Sequence, residues 1–272
     1  MRALMRRAAI VAGAAVVLLG PAVGSASAAQ GTVAGTWLTG GRDGFASVWS
    51  TAREVPGIAA LNTGGSAAVD SVSCASAGNC SAGGSYKDSS GHQQAFVVSQ
   101  VHGAWGKAKE VPGTAALNQG GNAGVGSVSC ASAGNCSAGG AYTDSAGHGQ
   151  AFVIGKTKGT WGTAQEIPGT AALNQGGNAG IASVSCASAG NCSAAGAYKN
   201  KPGRHGHLRP FVVGETNGTW GTAQQVPGIA ALAKGGPAEI FSVSCATVNH
   251  CAAGGFYAAR RLFLQPFVVK ET

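Results

Sequence analysis

The chain has 272 residues and a formal charge of +8, yet only 10% of its residues are charged and 46 are glycine. No apolar run beyond the first 28 residues is long enough to span a bilayer as a helix. Undiluted runs such as Phe-Val-Val recur throughout and exclude a disordered chain.

Arg2, Arg6 and Arg7 precede an apolar run from Ala8 to Leu19, and Ala26-Ser27-Ala28 is a small-x-small cleavage site. Residues 1–28 therefore read as an export signal, and the protein is expected to be secreted. Loss of these three arginines leaves a mildly basic chain. Residues 29–45 are polar and glycine-rich and read as a surface extension.

The remainder is a repeat. Ser71–Gly84 recurs almost letter for letter at Ser127–Gly140 and Ser183–Gly196, and in altered form at Ser242–Gly255. Phe96-Val97-Val98 returns as Phe152-Val153-Ile154, Phe211-Val212-Val213 and Phe267-Val268-Val269. Trp49–Gly57 matches Trp105–Gly113, Trp161–Gly169 and Trp220–Gly228, and the step is 56 residues apart from one cycle lengthened by three.

Each unit predicts four short strands. In the second unit these are A, about Val125–Ala131; B, about Cys136–Tyr142; C, about Gln150–Gly155; and D, about Trp161–Ile167. Glycine-containing turns separate them and Pro168 ends the last. Strands A and B carry mostly Ser, Ala, Gly and Cys, whereas C and D carry the bulk, and consecutive apolar residues in C predict burial on both faces. The fold class expected is all-β, a four-bladed β-propeller of four-stranded blades. Its blades are about 66–113, 122–169, 178–228, and 237–272 plus 46–57. In the last, the N-terminal strand Trp49–Gly57 closes the ring beside Phe267–Val269, so a monomer is expected.

Eight cysteines allow 105 pairings. Only the local set gives every unit one geometry: Cys74–Cys80, Cys130–Cys136, Cys186–Cys192 and Cys245–Cys251. An exported chain meets oxidising surroundings, and each bridge stabilises by roughly 2 kcal/mol through restriction of the unfolded chain. Zinc sites use closer cysteine pairs, and no histidine pair recurs with these, so no metal is expected.

The Ser-Val-Ser-Cys-x-Ser-x-x-x-Cys run resembles secreted actinobacterial proteins built from such repeats, from about Trp49 to Val269. The resemblance implies secretion and no particular activity. Gly159-Thr160-Trp161, Asn217-Gly218-Thr219-Trp220 and Gly103-Ala104-Trp105 are distantly similar to the Asp-box repeats of sialidase-like propellers. That pattern has one more residue between Gly and Trp and an aspartate two before the Gly. Both are missing here, so sialidase chemistry is not implied.

Strands B and D run the same way, so the B–C and D–A loops share one rim, where the candidate ligand-binding residues lie. Asn62, Asn118 and Asn174 beside paired glycines can meet sugar hydroxyls or hold their own turns. Asp88 with His92 and Asp144 with His148 are the only acid–base candidates, and each lacks a third partner. The third B–C loop breaks the repeat with Lys199, Lys201, Arg204, His205, His207 and Arg209, and the fourth carries Arg260 and Arg261. One-sided positive charge is an anion-binding footprint. No aromatic residue interleaves with it, which argues against nucleic acid.

No nucleophile elbow, metalloprotease helix or phosphate loop is present, and no cofactor is implied. Glu54, Glu110 and Glu166 repeat by symmetry and read as structural. The expected function is a non-enzymatic binding module for an anionic or polyhydroxylated polymer, such as cell wall or glycan. A propeller-fold glycan hydrolase or lyase using Asp88 or Asp144, and a protein-interaction scaffold, are the alternatives.

Overall fold

The structure, a computed structural model, describes residues 49–260 and 263–271. The expected export signal and surface extension lie outside them, as do Arg261 and the side chain of Arg260. Trp49 and Ser50 belong to a separate N-terminal unit and are exposed. The second unit, Thr51–Thr272, holds the strands and helical turns of the described residues.

That unit is all-β, built of four antiparallel sheets. The first contains β1 (Ala67–Ser76), β2 (Asn79–Lys87), β3 (Gln93–Val101), β4 (Ala104–Trp105) and β5 (Lys109–Glu110). The second contains β6 (Gly124–Ser132), β7 (Asn135–Thr143), β8 (Gly149–Thr157), β9 (Thr160–Trp161) and β10 (Gln165–Glu166). The third contains β11 (Ala179–Ser188), β12 (Asn191–Lys199), β13 (Leu208–Thr216), β14 (Thr219–Trp220) and β15 (Gln224–Gln225). The fourth has three strands, β16 (Ala238–Thr247), β17 (His250–Arg260) and β18 (Phe263–Lys270). No helix among the described residues is long and apolar enough to cross a membrane.

Strands A to C form where the repeat predicts them, because turn chemistry brackets each apolar run. The four expected disulfides are present, each joining residues directly opposite one another on strands A and B. Strand D differs from the expectation. It pairs with strand C only as two dipeptides, for example Trp161 with Lys156 and Gln165 with Val153. Between them Ala164 N–H turns away and donates to Pro112 O of the preceding unit at 2.8 Å, as Ala223 does to Pro168 O. The middle of strand D thus joins one sheet to the last. The glycine-rich D–A loops also contain a single helical turn each, α1 (Ile58–Leu61), α2 (Thr114–Leu117), α3 (Thr170–Leu173) and α4 (Ile229–Ala233).

Every strand A carries a bulge after its third or second residue, and the carbonyl there presses on a glycine of strand B. A Cβ on Gly84, Gly140, Gly196 or Gly255 would overlap the carbonyl oxygen of Ala68, Gly124, Gly180 or Glu239. The repeated glycine is therefore a packing requirement.

The sheets stack in chain order. β1 packs on β6, β6 on β11 and β11 on β16. Serine hydroxyls of each strand A accept from the next: Ser71 Oγ from Val128 N, Ser127 Oγ from Val184 N and Ser183 Oγ from Val243 N, at 2.9 to 3.1 Å. Between sheets lie the apolar cores, where Phe96, Phe152 and Phe211 are fully buried and Val153 and Ile154 confirm burial of both faces of strand C.

The ring closure expected from the sequence is not formed among the described residues. β18 pairs only with β17, and Val268 at its outer face is 87% exposed. Residues 51–54 pair with no strand. Val69 and Val72 of β1 are exposed, whereas their counterparts Val125, Val128, Ile181, Val184, Ile240 and Val243 are buried. The first and fourth sheets are not packed on one another as successive sheets are, so β18 has no strand D beside it. Residues 55–61 dock on the first sheet as their counterparts do on each later one. Val55, Ile58 and Leu61 join its apolar cluster, and Pro56 O accepts from Ala108 N at 2.7 Å.

Candidate functional site

Two rims follow from strand direction. Gly103 N donates to Gly78 O, so the A–B and C–D turns meet at one end. Gly64 N donates to Lys87 O, so the D–A and B–C loops meet at the other.

On the B–C/D–A rim, Asp88 and Asp144 organise their own hairpins. Asp88 Oδ1 accepts from the backbone of Ser90 and His92, and Oδ2 accepts from Gln94 Nε2, each at 2.9 Å. Asp144 does the same with Ala146, His148 and Gln150. The Gln94 hydrogen bond chiefly, then the backbone donors, hold the Asp88 carboxyl below its usual range. Partial burial pushes Asp144 up, but its bonds from Gln150, His148 and Ala146 outweigh that, so it too is lowered. The histidines stand at 4.0 and 3.8 Å from these carboxylates and are exposed. Both aspartates are ionised turn-holders. Among the described residues no cluster of three or more His, Cys, Asp or Glu is arranged to hold a metal.

The asparagines join neighbouring sheets. Asn118 Nδ2 donates to Gln93 O and to Gln94 Oε1 of the first sheet, and Oδ1 accepts from Asn122 N at 2.8 Å. Asn174 repeats this with Gly149 O, Gln150 Oε1 and Asn178 N. Both are 6% exposed. A chain Asn118→Gln94→Asp88 thus runs from one loop to the preceding hairpin. Asn62 keeps only the local half, accepting from Ser66 N and Lys87 N, with no sheet before it. In the third unit Gln150 is replaced by Arg209, and Ala233 stands where the asparagine would be. Arg209 is buried and its guanidinium donates to Gly236 O, so one arginine spans the gap that two amides span elsewhere.

The other third-hairpin residues differ. Lys199 lies half-buried against Gly176 and Gly206. Lys201, Arg204 and His205 are exposed, the last two on a 3-10 turn (Gly203–His205), and His207 is half-buried with its N–H donating to Asn200 Oδ1. Lys234 stands exposed two residues before Gly236, the acceptor of Arg209. The structure therefore gathers Lys201, Arg204 and His205 on one exposed hairpin and removes Arg209 into the sheet junction. Arg260 ends β17, where its side chain lies outside the described set.

Sequence reasoning missed two buried charges near the other rim. Lys156 Nζ donates to Ser81 Oγ at 3.2 Å and Ser99 Oγ at 2.7 Å of the preceding sheet, and lies 5.7 Å from the Trp161 ring centroid. Glu215 Oε2 accepts from Ser137 Oγ at 3.0 Å. Burial lowers the Lys156 pKa and raises that of Glu215. The available signal was one strand C position that changes charge from copy to copy: Gln100, Lys156, Glu215, Glu271.

Because the folded chain holds the Glu215 proton more tightly than the unfolded chain does, ionisation there opposes folding. That cost is absent well below the ordinary carboxylate range and complete once pH exceeds the raised pKa. Glu215→Gln keeps an acceptor for Ser137 and removes the charge. It should raise Tm near pH 7 by roughly 2–4 °C, the shift that about 1 kcal/mol gives in a chain of this size. The gain should fade in melts below about pH 4.

A cavity of about 280 Å³ opens between the third and fourth sheets, lined among others by Val212, Pro227, Val243, Val269 and Lys270.

No protein-family model matches the chain, and no curated protein matches it. Among solved structures it is similar to a subtype N11 neuraminidase-like protein of A/flat-faced bat/Peru/033/2010 (H18N11). The identity is 14% and the TM-score 0.37, over 68% of this chain and 46% of that one.

Proposed function

We propose that the protein is an exported, non-enzymatic binding module for an anionic polymer, held through the B–C/D–A rim. The observation that carries this reading is the third hairpin, where Lys201, Arg204 and His205 stand exposed on a loop that holds no carboxylate. Lys199 and His207 flank them, and in the sequence Arg260 and Arg261 hold the corresponding place of the next repeat. Positive charge on a protruding hairpin attracts polyanions at long range. Four cystines support an oxidising compartment such as the cell exterior. The asparagines favour the anionic over the polyhydroxylated ligand, since the amides of Asn118 and Asn174 are engaged in joining sheets. The two acids that the sequence offers for hydrolysis, Asp88 and Asp144, are both engaged in their turns.

The sheets are read as propeller blades, and the fourth as a blade completed by residues 49–57, whose sequence is that of strand D. Strand D in the other three sheets supports this.

Replacing Lys201 and Arg204 together by serine should shorten retention on immobilised dextran sulfate. It should also lower the slope of log affinity against log salt, by roughly 0.7–0.9 for each sulfate no longer neutralised, if the counterion-release law for polyanions applies. Unchanged retention and slope would remove the anion reading. Turnover of the polymer by the purified protein would replace binding by catalysis.

A further inference from the structure

The first and fourth sheets each present a face that the repeat elsewhere keeps covered, and the unmatched groups of one are the repeat's own mates of the other. Tyr86 and Tyr142 donate to Glu110 and Glu166, and Tyr198 to Gln225. By the same spacing Tyr257 awaits Glu54, and among the described residues neither has a partner. Phe96 and Val97 pair with Glu110 and Lys109, so Phe267 and Val268 await Glu54 and Arg53. Gln265 of β18 holds the place of Gln94 and Gln150, whose mates are Asn118 and Asn174; its own would be Asn62. Ser242 and Ser244 hold the places of Ser71 and Ser73, which accept from Val128 N and Cys130 N. They would accept from Val72 N and Cys74 N.

The cavity beside β18 is the vacant seat of this arrangement. Pro112 O and Pro168 O accept from Ala164 N and Ala223 N of the following strand D. Pro227 lines the cavity, and the next such alanine is Ala52.

We infer that a second copy of this chain fills that seat: residues 51–57 of each protomer add as strand D to the fourth sheet of its partner. This rests on the reading of those residues as the missing strand. The same chain does not supply them in the conformation described, since residues 51–54 pair with no strand. Val55, Pro56 and Ile58 sit on the first sheet as Val111, Pro112 and Thr114 sit on the second, each just after a strand D of the sheet before. They mark where a preceding sheet belongs, and β16 is not packed against β1. A head-to-tail contact closes only when its rotation returns to the start. Two copies give eight sheets, the upper end of the common propeller range, and three would exceed it. The assembly is therefore a reciprocal dimer, not the monomeric ring expected from the sequence.

The test is a variant carrying both Arg53→Cys and Val268→Cys, two exposed positions that face each other as Lys109 and Val97 do. On oxidation nearly all chains should migrate as a covalent dimer in non-reducing electrophoresis, and neither single variant should form that band by itself. An internally bridged monomer would overturn the second copy and leave the strand assignment standing. No bridge would overturn both, and a ladder of longer species would overturn closure as a pair. Sedimentation of the unmodified protein at micromolar concentration gives an independent reading. Twice the chain mass is expected, and a monomer overturns the dimer.

Discussion

Gly140→Ala is expected to destabilise the protein by about 3 kcal/mol or more, at the upper end of what overpacking costs. The added methyl has nowhere to go. It would overlap the Gly124 carbonyl oxygen at the bulge of β6, and it would stand 3.0 Å from Phe152 Cε1. Phe152 is fully buried with its ring 6.5 Å from that of Tyr142, so it cannot swing aside cheaply. Relief requires β6 and β7 to separate where Val125 lies opposite Gly140 and Gly124 opposite Ala141, which breaks ladder hydrogen bonds at that end of the pair. Gly147→Ala is the control. It is strained by its positive φ of 79°, but its methyl would meet nothing. Chemical denaturation of the two variants should separate them by at least about 1 kcal/mol, the usual cost of a residue forced left-handed being 1–2 kcal/mol. Equal losses would mean that the bulge, not the glycine, yields.

The second large effect is expected at Asn118. Alanine there removes the acceptor of Asn122 N and the donor to Gln93 O and Gln94 Oε1, part-buried bonds that tie two sheets, while Gln93 O keeps Ala123 N. A lost partner costs about 1–3 kcal/mol where water cannot replace it, so a loss of roughly 1–3 kcal/mol is expected, with Asn174→Ala alike. Asn62→Ala should cost less, since only its oxygen is engaged and the site is more exposed. Denaturant midpoints at matched protein concentration would rank the three. Were Asn62 in fact mated to Gln265 across a dimer, its loss would grow with protein concentration, because only the assembled protein would feel it.

Much of this is legible in the sequence because the repeat restates each rule four times. The cystines pair from Cys74/Cys80 and its copies, since any other pairing breaks the symmetry. The rims follow from strand count, and Phe152-Val153-Ile154 announces burial on both faces. Strand D reads as continuous because its apolar ends look like one run, and nothing local reveals that Ala164 bonds the sheet before it. Arg209 groups with the exposed cations because charge suggests solvent. Its inward course depends on the missing asparagine at Ala233, a compensation visible only once the two loops are known to touch.

What the chain determined on its own is what nearest neighbours decide: four antiparallel sheets and their disulfides. These are short-range interactions, and a repeated sequence specifies them repeatedly. Only the tertiary structure decided which charges remain on the surface and that, among the described residues, residues 51–54 and β18 do not pair. Closure depends on a small rotation at each sheet junction, summed over all of them, and no residue encodes that sum. β1 is not packed against β16, so residues 51–54 and β18 stay unpaired with each other and two matching faces remain open.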